Sequence, residues 1–239
     1  MANCDPLPAW LTFNAITQTF SSTPLYGDVG SLNVRVTADD ANGGEASDDF
    51  ILAVNSERHQ QYGNNDNDSL VGSHVADALY GLSGNDTLKG DDGNDILVGG
   101  ADNDLMYGNT GDDIYEFGGD FDDDRISNHG GYYDTDRAVF TDVNADQLWF
   151  SQSNNDLLIN TYNDAGELTD NSVAIRNWYD LHRTVDEFSA GGELLLDSQV
   201  ALLVQAMASV STTGVPSDLN TLSQEERESV QLAVDNAWG

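Results

Sequence analysis

The chain is short of four things. It has one cysteine, Cys4, so no internal disulfide can staple it. It has eight lysines and arginines against 42 aspartates and glutamates, a net charge of −34. Phosphate binding needs a positive face, so nucleic acid is excluded as a natural partner. No run approaches the roughly 18 apolar residues of a membrane helix, and the opening MANCDPLPAW lacks the basic segment and apolar core of a secretory signal peptide. If the protein is exported, its signal is expected elsewhere. Catalytic signatures are also missing. There is no HExxH, and GLSGN from Gly81 lacks the final glycine of a nucleophile elbow. Acid pairs abound, but in so acidic a chain they say little about acid–base chemistry, and no catalysis is expected.

What is present is a period. Gly63 to Glu116 divides into GNNDNDSLV, GSHVADALY, GLSGNDTLK, GDDGNDILV, GGADNDLMY and GNTGDDIYE. Each unit opens on glycine: Gly63, Gly72, Gly81, Gly90, Gly99 and Gly108. Aspartate holds every sixth place (Asp68, Asp77, Asp86, Asp95, Asp104, Asp113), and a large apolar residue every eighth (Leu70, Leu79, Leu88, Leu97, Met106, Tyr115). Repeats of this kind dictate architecture before any other feature does.

Glycine supplies the left-handed backbone of a tight turn. In the short stretch that follows, side chains alternate, so the eighth residue is buried in every unit. Turn and strand in alternation make a coil in which each nonapeptide is half a turn. Aspartates two units apart then stack, Asp68, Asp86 and Asp104 in one column and Asp77, Asp95 and Asp113 in the other. Stacked carboxylates repel by several kcal/mol, roughly, at a surface-like dielectric, so a cation is required between them. Oxygen donors without thiolate or imidazole point to Ca2+, which takes about 6–8 oxygens at about 2.3–2.6 Å. Turn carbonyls supply what two aspartates cannot. The competing reading is a flexible Asp/Gly/Asn linker, which has no reason to keep an apolar eighth place. Without calcium, disorder is the expected state. A solvated acidic surface is the alternative, and against it much of the acid is in phase with the repeat.

GLSGNDTLK and GDDGNDILV resemble the GGxGxDxUx nonapeptide of RTX (haemolysin-type) calcium-binding proteins, a parallel β-roll repeat. The resemblance implies ions held between same-side turns. The earlier turn gives its second and fourth carbonyls and its aspartate, and the later turn its first and third carbonyls and its aspartate. One interior site then uses Leu82, Gly84, Asp86, Gly99, Ala101 and Asp104, and the other Asp91, Gly93, Asp95, Gly108, Thr110 and Asp113. Outer sites use Asn64, Asp66, Asp68, Gly81, Ser83 and Asp86, and Ser73, Val75, Asp77, Gly90, Asp92 and Asp95. Gly100 and Asp102 belong to the same turns, and an offset unit from Gly119 brings Asp124 and Ile126 into phase after two extra residues, Phe117 and Gly118. Asp66 and Val75 stand where glycine is usual in the first and second units, which makes the first turn the least secure match.

The flanks divide as follows: 1–54, 55–62, 63–127 for the β-roll, 128–197 and 198–239. SLNVRVTAD alternates faces, Asp40, Asn42, Gly43 and Gly44 make a turn, and DFILAVN follows as a second strand. With LPAWLTFNAITQTFSSTP these segments resemble the second half of a dystroglycan-type cadherin-like module, an immunoglobulin-like sandwich. About 50 residues cannot close a sandwich of about 100, so a fragment of a longer protein, or strands from another chain, is implied. Asp39, Asp40, Asp48 and Asp49 read as turn and edge charge, with calcium ligation the alternative. NSERHQQY (55–62) reads as a polar linker, with His59 and His74 facing solvent. DLLI, SVAIRNWY and TVDEFSAGGELL resemble the β domain that follows haemolysin-type repeats and caps an open coil. Trp149, Trp178, Tyr179 and Phe188 read there as core, with a sugar platform the alternative. Val200, Leu203, Val204 and Met207 recur at helical spacing, and Ser223 with Glu226 makes a capping box for a helix toward Trp238. LLVQAMAS and VDNAWG resemble the C-terminal ends of large RTX surface proteins, where the type I secretion signal lies.

The expected fold is mainly β: a β-roll with an N-terminal partial sandwich, a β-rich cap and C-terminal helices. The implied function is a calcium-binding module that folds outside the cell, serving secretion and stability of a bacterial surface or adhesin protein. The implied partners are calcium, the type I secretion machinery and, through a parent protein, a glycan or cell-surface ligand. A monomer is expected, unless half-sandwiches associate. The alternatives are a carbohydrate-binding or adhesive module, and the non-catalytic tail of a secreted hydrolase or epimerase.

Overall fold

The computed structural model describes residues 7–8, 11–22, 30–39, 42–54, 58–127, 133–180, 185–211 and 214–238. The chain separates into two compact units, 1–57 and 58–239.

The first unit contains two hairpins. β1 (Leu11–Asn14) pairs antiparallel with β2 (Thr19–Ser22), and β3 (Gly30–Asp39) with β4 (Glu45–Val54) in unbroken register. Gly43, at φ 96°, sits in the β3–β4 turn, while Asp40 of the expected turn lies outside the described residues. Alternation sets the faces, with Val34 opposite Phe50 and Arg35 opposite Asp49. Val34 and Leu11 are buried, and Phe20 bridges Phe13 and Phe50 with ring centroids 4.7 and 5.7 Å apart. Asp49 is held by the Arg35 guanidinium at 2.6 Å, an ion pair of turn and edge charge.

The second unit is a parallel β-roll. One sheet, in spatial order, is β18 (Glu193–Leu196), β17 (Glu187–Ala190), β13 (Arg137–Phe140), β11 (Ile114–Phe117), β9 (Ile96–Ala101), β7 (Asp77–Ser83) and β5 (His59–Tyr62). The other is β14 (Leu148–Ser153), β15 (Asp156–Tyr162), β16 (Leu168–Ile175), β12 (Asp123–Ile126), β10 (Leu105–Thr110), β8 (Thr87–Asp92) and β6 (Ser69–Val71). Within the repeats, sheet neighbours are two nonapeptides apart: Leu79 lies beside Leu97, and Leu88 beside Met106. Those four side chains and Tyr115 are fully buried between the sheets. Leu70, in the first unit of the array, is only partly buried.

Two segments differ from expectation. The described part of 55–62 is no linker, because His59–Tyr62 pairs in parallel register with Asp77–Tyr80 and forms the first strand of its sheet. Gln60 lies beside Ala78 and Tyr62 stacks on Tyr80, so pairing and ring contact outweigh polar composition. Residues 55–57 lie outside the described residues. The segment after the repeats, expected as a β-rich cap, first continues both sheets. β13 pairs parallel with β11, β16 with β12 and β17 with β13. Only then does the chain turn antiparallel, in β14–β15–β16 and β17–β18.

The upper end is closed by helices α1 (Asp197–Val210) and α2 (Gln224–Ala237). α1 buries Val200, Leu203 and Met207. α2 starts at a reciprocal capping box between Ser223 and Glu226. Trp149, Trp178 and Phe188 are core residues, as their apolar surroundings predict; Tyr179 alone of that group reaches solvent, at 36% exposure. Among the described residues no helix is long and apolar enough to cross a membrane.

Candidate metal centre

The turns joining the two sheets carry the acidic residues. In the four interior turns the second and fourth residues are left-handed: Leu82 and Gly84, Asp91 and Gly93, Gly100 and Asp102, Asn109 and Gly111. Glycine, asparagine and aspartate tolerate this region. The first two turns, 63–68 and 72–77, have no residue there. Their fourth residues are Asp66 and Val75, and a β-branched side chain resists positive φ.

Each sixth-place aspartate is part of a ladder. The Asp68 N–H donates to Asp86 Oδ1 at 2.7 Å, Asp86 N–H to Asp104 Oδ1 at 2.7 Å, and Asp104 N–H to Asp124 Oδ1 at 2.8 Å. In the opposite column Asp77 donates to Asp95 at 2.7 Å and Asp95 to Asp113 at 2.9 Å. One carboxylate oxygen of Asp86, Asp95, Asp104, Asp113 and Asp124 thus faces the turn below it.

The second oxygen faces the turn above. A Cβ built on Gly90 would meet Asp95 Oδ2 and, at 2.8 Å, the Gly108 carbonyl of the overlying turn. A Cβ on Gly81 would likewise meet Asp86 Oδ2 and the Gly99 carbonyl. Glycine is needed at the first place because carboxylate and carbonyl oxygens crowd onto its Cα. The same oxygens have no donor. Asp86, Asp95, Asp104 and Asp113 each keep a buried Oδ2 without a hydrogen-bond partner. A buried, unpaired carboxylate oxygen costs several kcal/mol, roughly, and needs an explanation.

Burial also moves the proton equilibria. It pushes the Asp95 carboxyl up to about 6, Asp104 to about 7, Asp113 to about 8 and Asp124 to about 9. Asp86 is raised from the same cause. In each case loss of solvent is the largest influence. The N–H donated from the turn below offsets part of it, and repulsion from stacked neighbours adds to it.

The two lowest turns are arranged differently. Asp68 Oδ2 accepts the Asn64 N–H at 2.7 Å, and Asp77 Oδ2 accepts both the N–H and the hydroxyl of Ser73 at 2.6 and 2.9 Å. Their second oxygens are satisfied within their own turns. Asp77 Oδ1 also lies 2.9 Å from His59 Nδ1, so this histidine, largely exposed as expected, also has a partner at the foot of its column. Ser73, His74, Asp91, Asp92 and Asn109 line an open cavity of about 410 Å3 on the edge of that column. Ser83, Ala101 and Thr110 occupy third places of their turns, with Thr110 O accepting the Gly93 N–H at 2.8 Å.

The offset unit is in phase. Ile126 lies beside Met106, and Asp124 is buried beneath β16. The extra residues are absorbed by an aromatic cluster in which Phe117 packs against Phe121 and Phe140. Two ladder acids escape the nonapeptide reading. Asp113 N–H donates to Asp136 Oδ1 at 2.9 Å, and Asp136 N–H to Asp186 Oδ2 at 3.0 Å, across 23 and 50 residues. A signal for Asp136 exists in the sequence: Gly131, Asp136 and Ala138 fill the first, sixth and eighth places of one more frame. Asp186 has only Phe188 two residues on.

Among the described residues no three His, Cys, Asp or Glu side chains converge on one point. A cation between stacked turns would therefore take two carboxylates and complete its shell from turn carbonyls. That donor set is all oxygen and anionic, and it suits Ca2+. The orphaned oxygens of Asp86, Asp95, Asp104 and Asp113 fit such an ion.

Comparison with known proteins agrees. The family model described as RTX calcium-binding nonapeptide repeat (4 copies) matches residues 62–97, 80–115 and 89–126. The model described as "Putative Ig domain" matches residues 2–55. No curated protein matches the chain. Among solved structures, the AlgE6R3 subunit of the Azotobacter vinelandii mannuronan C5-epimerase is 26% identical over 57% of this chain and 85% of that one, with a TM-score of 0.41. The extracellular lipase LipA from Serratia marcescens is 20% identical over 61% of this chain and 24% of the lipase, with a TM-score of 0.37. Residues 62–126 are thus an array of RTX calcium-binding nonapeptide repeats, following an N-terminal segment of Ig-domain type.

Proposed function

We propose that this chain is a calcium-triggered folding module of an exported bacterial surface protein. One observation carries the reading: four buried aspartate oxygens, stacked in two columns, have no donor. The sites are the turn pairs holding Asp86 with Asp104 and Asp95 with Asp113. The weaker sites are those whose lower turn holds Asp68 or Asp77, since those turns already satisfy their own carboxylates.

The mechanism is linkage. Where calcium is scarce, the stacked acids and the −34 net charge oppose compaction and the repeats stay unfolded. Outside the cell, calcium near 10⁻³ M meets sites whose Kd falls at about 10⁻⁴–10⁻³ M. Each ion held at ten times its Kd adds about 1.4 kcal/mol to folding. An unfolded chain suits passage through a type I exporter, and the segment 198–239 is the part that would be recognised. The hairpins of the first unit would then belong to an adhesive, cadherin-like region of the parent protein.

Far-UV circular dichroism with excess EGTA and with calcium tests the folding step. Strand content should rise on adding calcium, and equal content in both media overturns the reading. Export is tested by co-expression with a type I exporter. Deletion of 198–239 should retain the chain inside the cell.

A further inference from the structure

We infer that the outer face of the sheet containing β8, β10, β12 and β16 binds a linear polysaccharide that carries carboxylate groups. This rests on the calcium reading above only for the charge of the turns that border the face; the face itself is made of residues outside the aspartate ladders.

The distribution of the few bases carries the inference. The chain has eight. Arg35 is paired with Asp49, and Arg137 with Glu187. Arg227 donates to the Asn220 and Leu222 carbonyls, Arg58 keeps a buried Nη1, and Arg183 lies outside the described residues. The rest, Lys89, Arg125 and Arg176, are exposed and make no ion pair among the described residues. In a chain with 42 acids, bases without a carboxylate partner are available to an anion from outside.

Register puts Lys89, Arg125 and Arg176 on one face. Leu88, Met106, Ile126 and Ile175 are neighbours across the sheet and are buried in the core. Side chains alternate, so the residues on either side of them point outward. One outward row holds Thr87, Leu105, Arg125 and Ala174. The next holds Lys89 and Tyr107, and Arg176 joins it directly after β16, its N–H donating to the Ile126 carbonyl at 3.0 Å. Lys89 Nζ lies over the half-buried Tyr107 ring, 5.7 Å from its centroid. Tyr107 thus stands between the lysine and the two arginines. The acids at the rim are engaged: Asp123 accepts the Ser172 hydroxyl at 2.6 Å, and Asp156 the Asn177 N–H at 2.8 Å.

Such a strip suits a chain of acidic sugars. Arginine offers a carboxylate two parallel N–H donors, and an aromatic ring presents apolar surface with a polar tip. Strands lie about 4.8 Å apart, so a polymer laid across them meets Lys89, Tyr107, Arg125 and Arg176 in turn. An anionic membrane fits less well, because a broad plane would also reach the acidic turns beside the strip, such as Asp91 and Asp92 at the end of β8. Repulsion from the rest of the chain is screened beyond about 8 Å at physiological salt, so a narrow polymer is governed by the strip. Calcium in the bordering turns lowers their negative charge and favours the same contact.

The experiment titrates the full chain in calcium with an oligogalacturonate too short to gel, followed by calorimetry and by 1H–15N NMR. The expected result is saturable binding that weakens as salt rises, with shifts centred on Tyr107, Arg125 and Arg176. Arg125→Gln combined with Arg176→Gln should lower the affinity at least tenfold, and Arg35→Gln should leave it unchanged. The calcium midpoint of folding, read by circular dichroism, should stay within twofold in each variant. No binding by a chain that calcium folds overturns this inference alone, as does binding that survives the double substitution. Binding to phosphatidylglycerol vesicles with none to the oligomer overturns it too. Equal strand content with and without calcium overturns the calcium reading instead, and the same titration then decides this inference on the folded chain.

Discussion

Asp95→Asn should reverse the sign of its effect between calcium-free and calcium-loaded protein. The substitution keeps Oδ1, which accepts the Asp77 N–H. It replaces the orphaned Oδ2 by an amide nitrogen beside the Gly90 Cα and the Gly108 carbonyl. Without calcium, the wild-type carboxyl is raised by burial to about 6 in the folded state, against about 3.9 unfolded. Its folded form therefore binds the proton more tightly. The contribution to stability is full below about pH 3.9 and is lost as pH rises through about 6. Above that point the buried charge costs about 3 kcal/mol, at about 1.4 kcal/mol per unit. Asparagine avoids this cost. In EGTA near pH 8, a titration with trimethylamine N-oxide should fold the variant at lower osmolyte than the wild type, and the gap should vanish near pH 4. With calcium the order inverts, because a ligand shared by two stacked turns is gone, and the calcium midpoint should rise at least tenfold. Loss of stability in both media at pH 8 would refute the claim that this carboxylate is buried for a cation.

Three further outcomes follow from the same geometry. Gly90→Ala places a Cβ against Asp95 Oδ2 and the Gly108 carbonyl; it should abolish the calcium-induced gain in strand content, whereas Gly119→Ala, with open space around it at φ 72°, should cost only about 1–2 kcal/mol of backbone strain. Acid should partly replace calcium: burial raises Asp104, Asp113 and Asp124 to about 7, 8 and 9, so folding in EGTA should improve as pH falls from about 9 toward 5, seen by circular dichroism, and a loss of strand on acidification counts against the stacked-acid account. Ser223→Ala removes the cap that accepts the Glu226 N–H at 3.3 Å; calorimetric stability in calcium should drop by about 1 kcal/mol while ion stoichiometry stays unchanged.

The sequence by itself determined the period, and with it the roll. Glycine at the first place, aspartate at the sixth and an apolar residue at the eighth are local requirements, met within one turn and one strand. They show as spacing because each unit solves the same problem alone. Ser223 with Glu226, and the apolar spacing of Val200, Leu203 and Met207, were legible for the same reason. Only the tertiary structure decided which carboxylates lack donors. Asp68 and Asp86 look alike in sequence, but the Asn64 N–H donates to Oδ2 of the first while Oδ2 of the second has no donor. Only tertiary pairing brought His59–Tyr62 into a sheet, and placed Asp136 and Asp186 on a column begun by Asp77. Once loops of unequal length break the nine-residue step, phase no longer predicts neighbours. Stacking is then set by strand pairing and by burial of Phe117, Phe140 and Phe188, contacts distant along the chain.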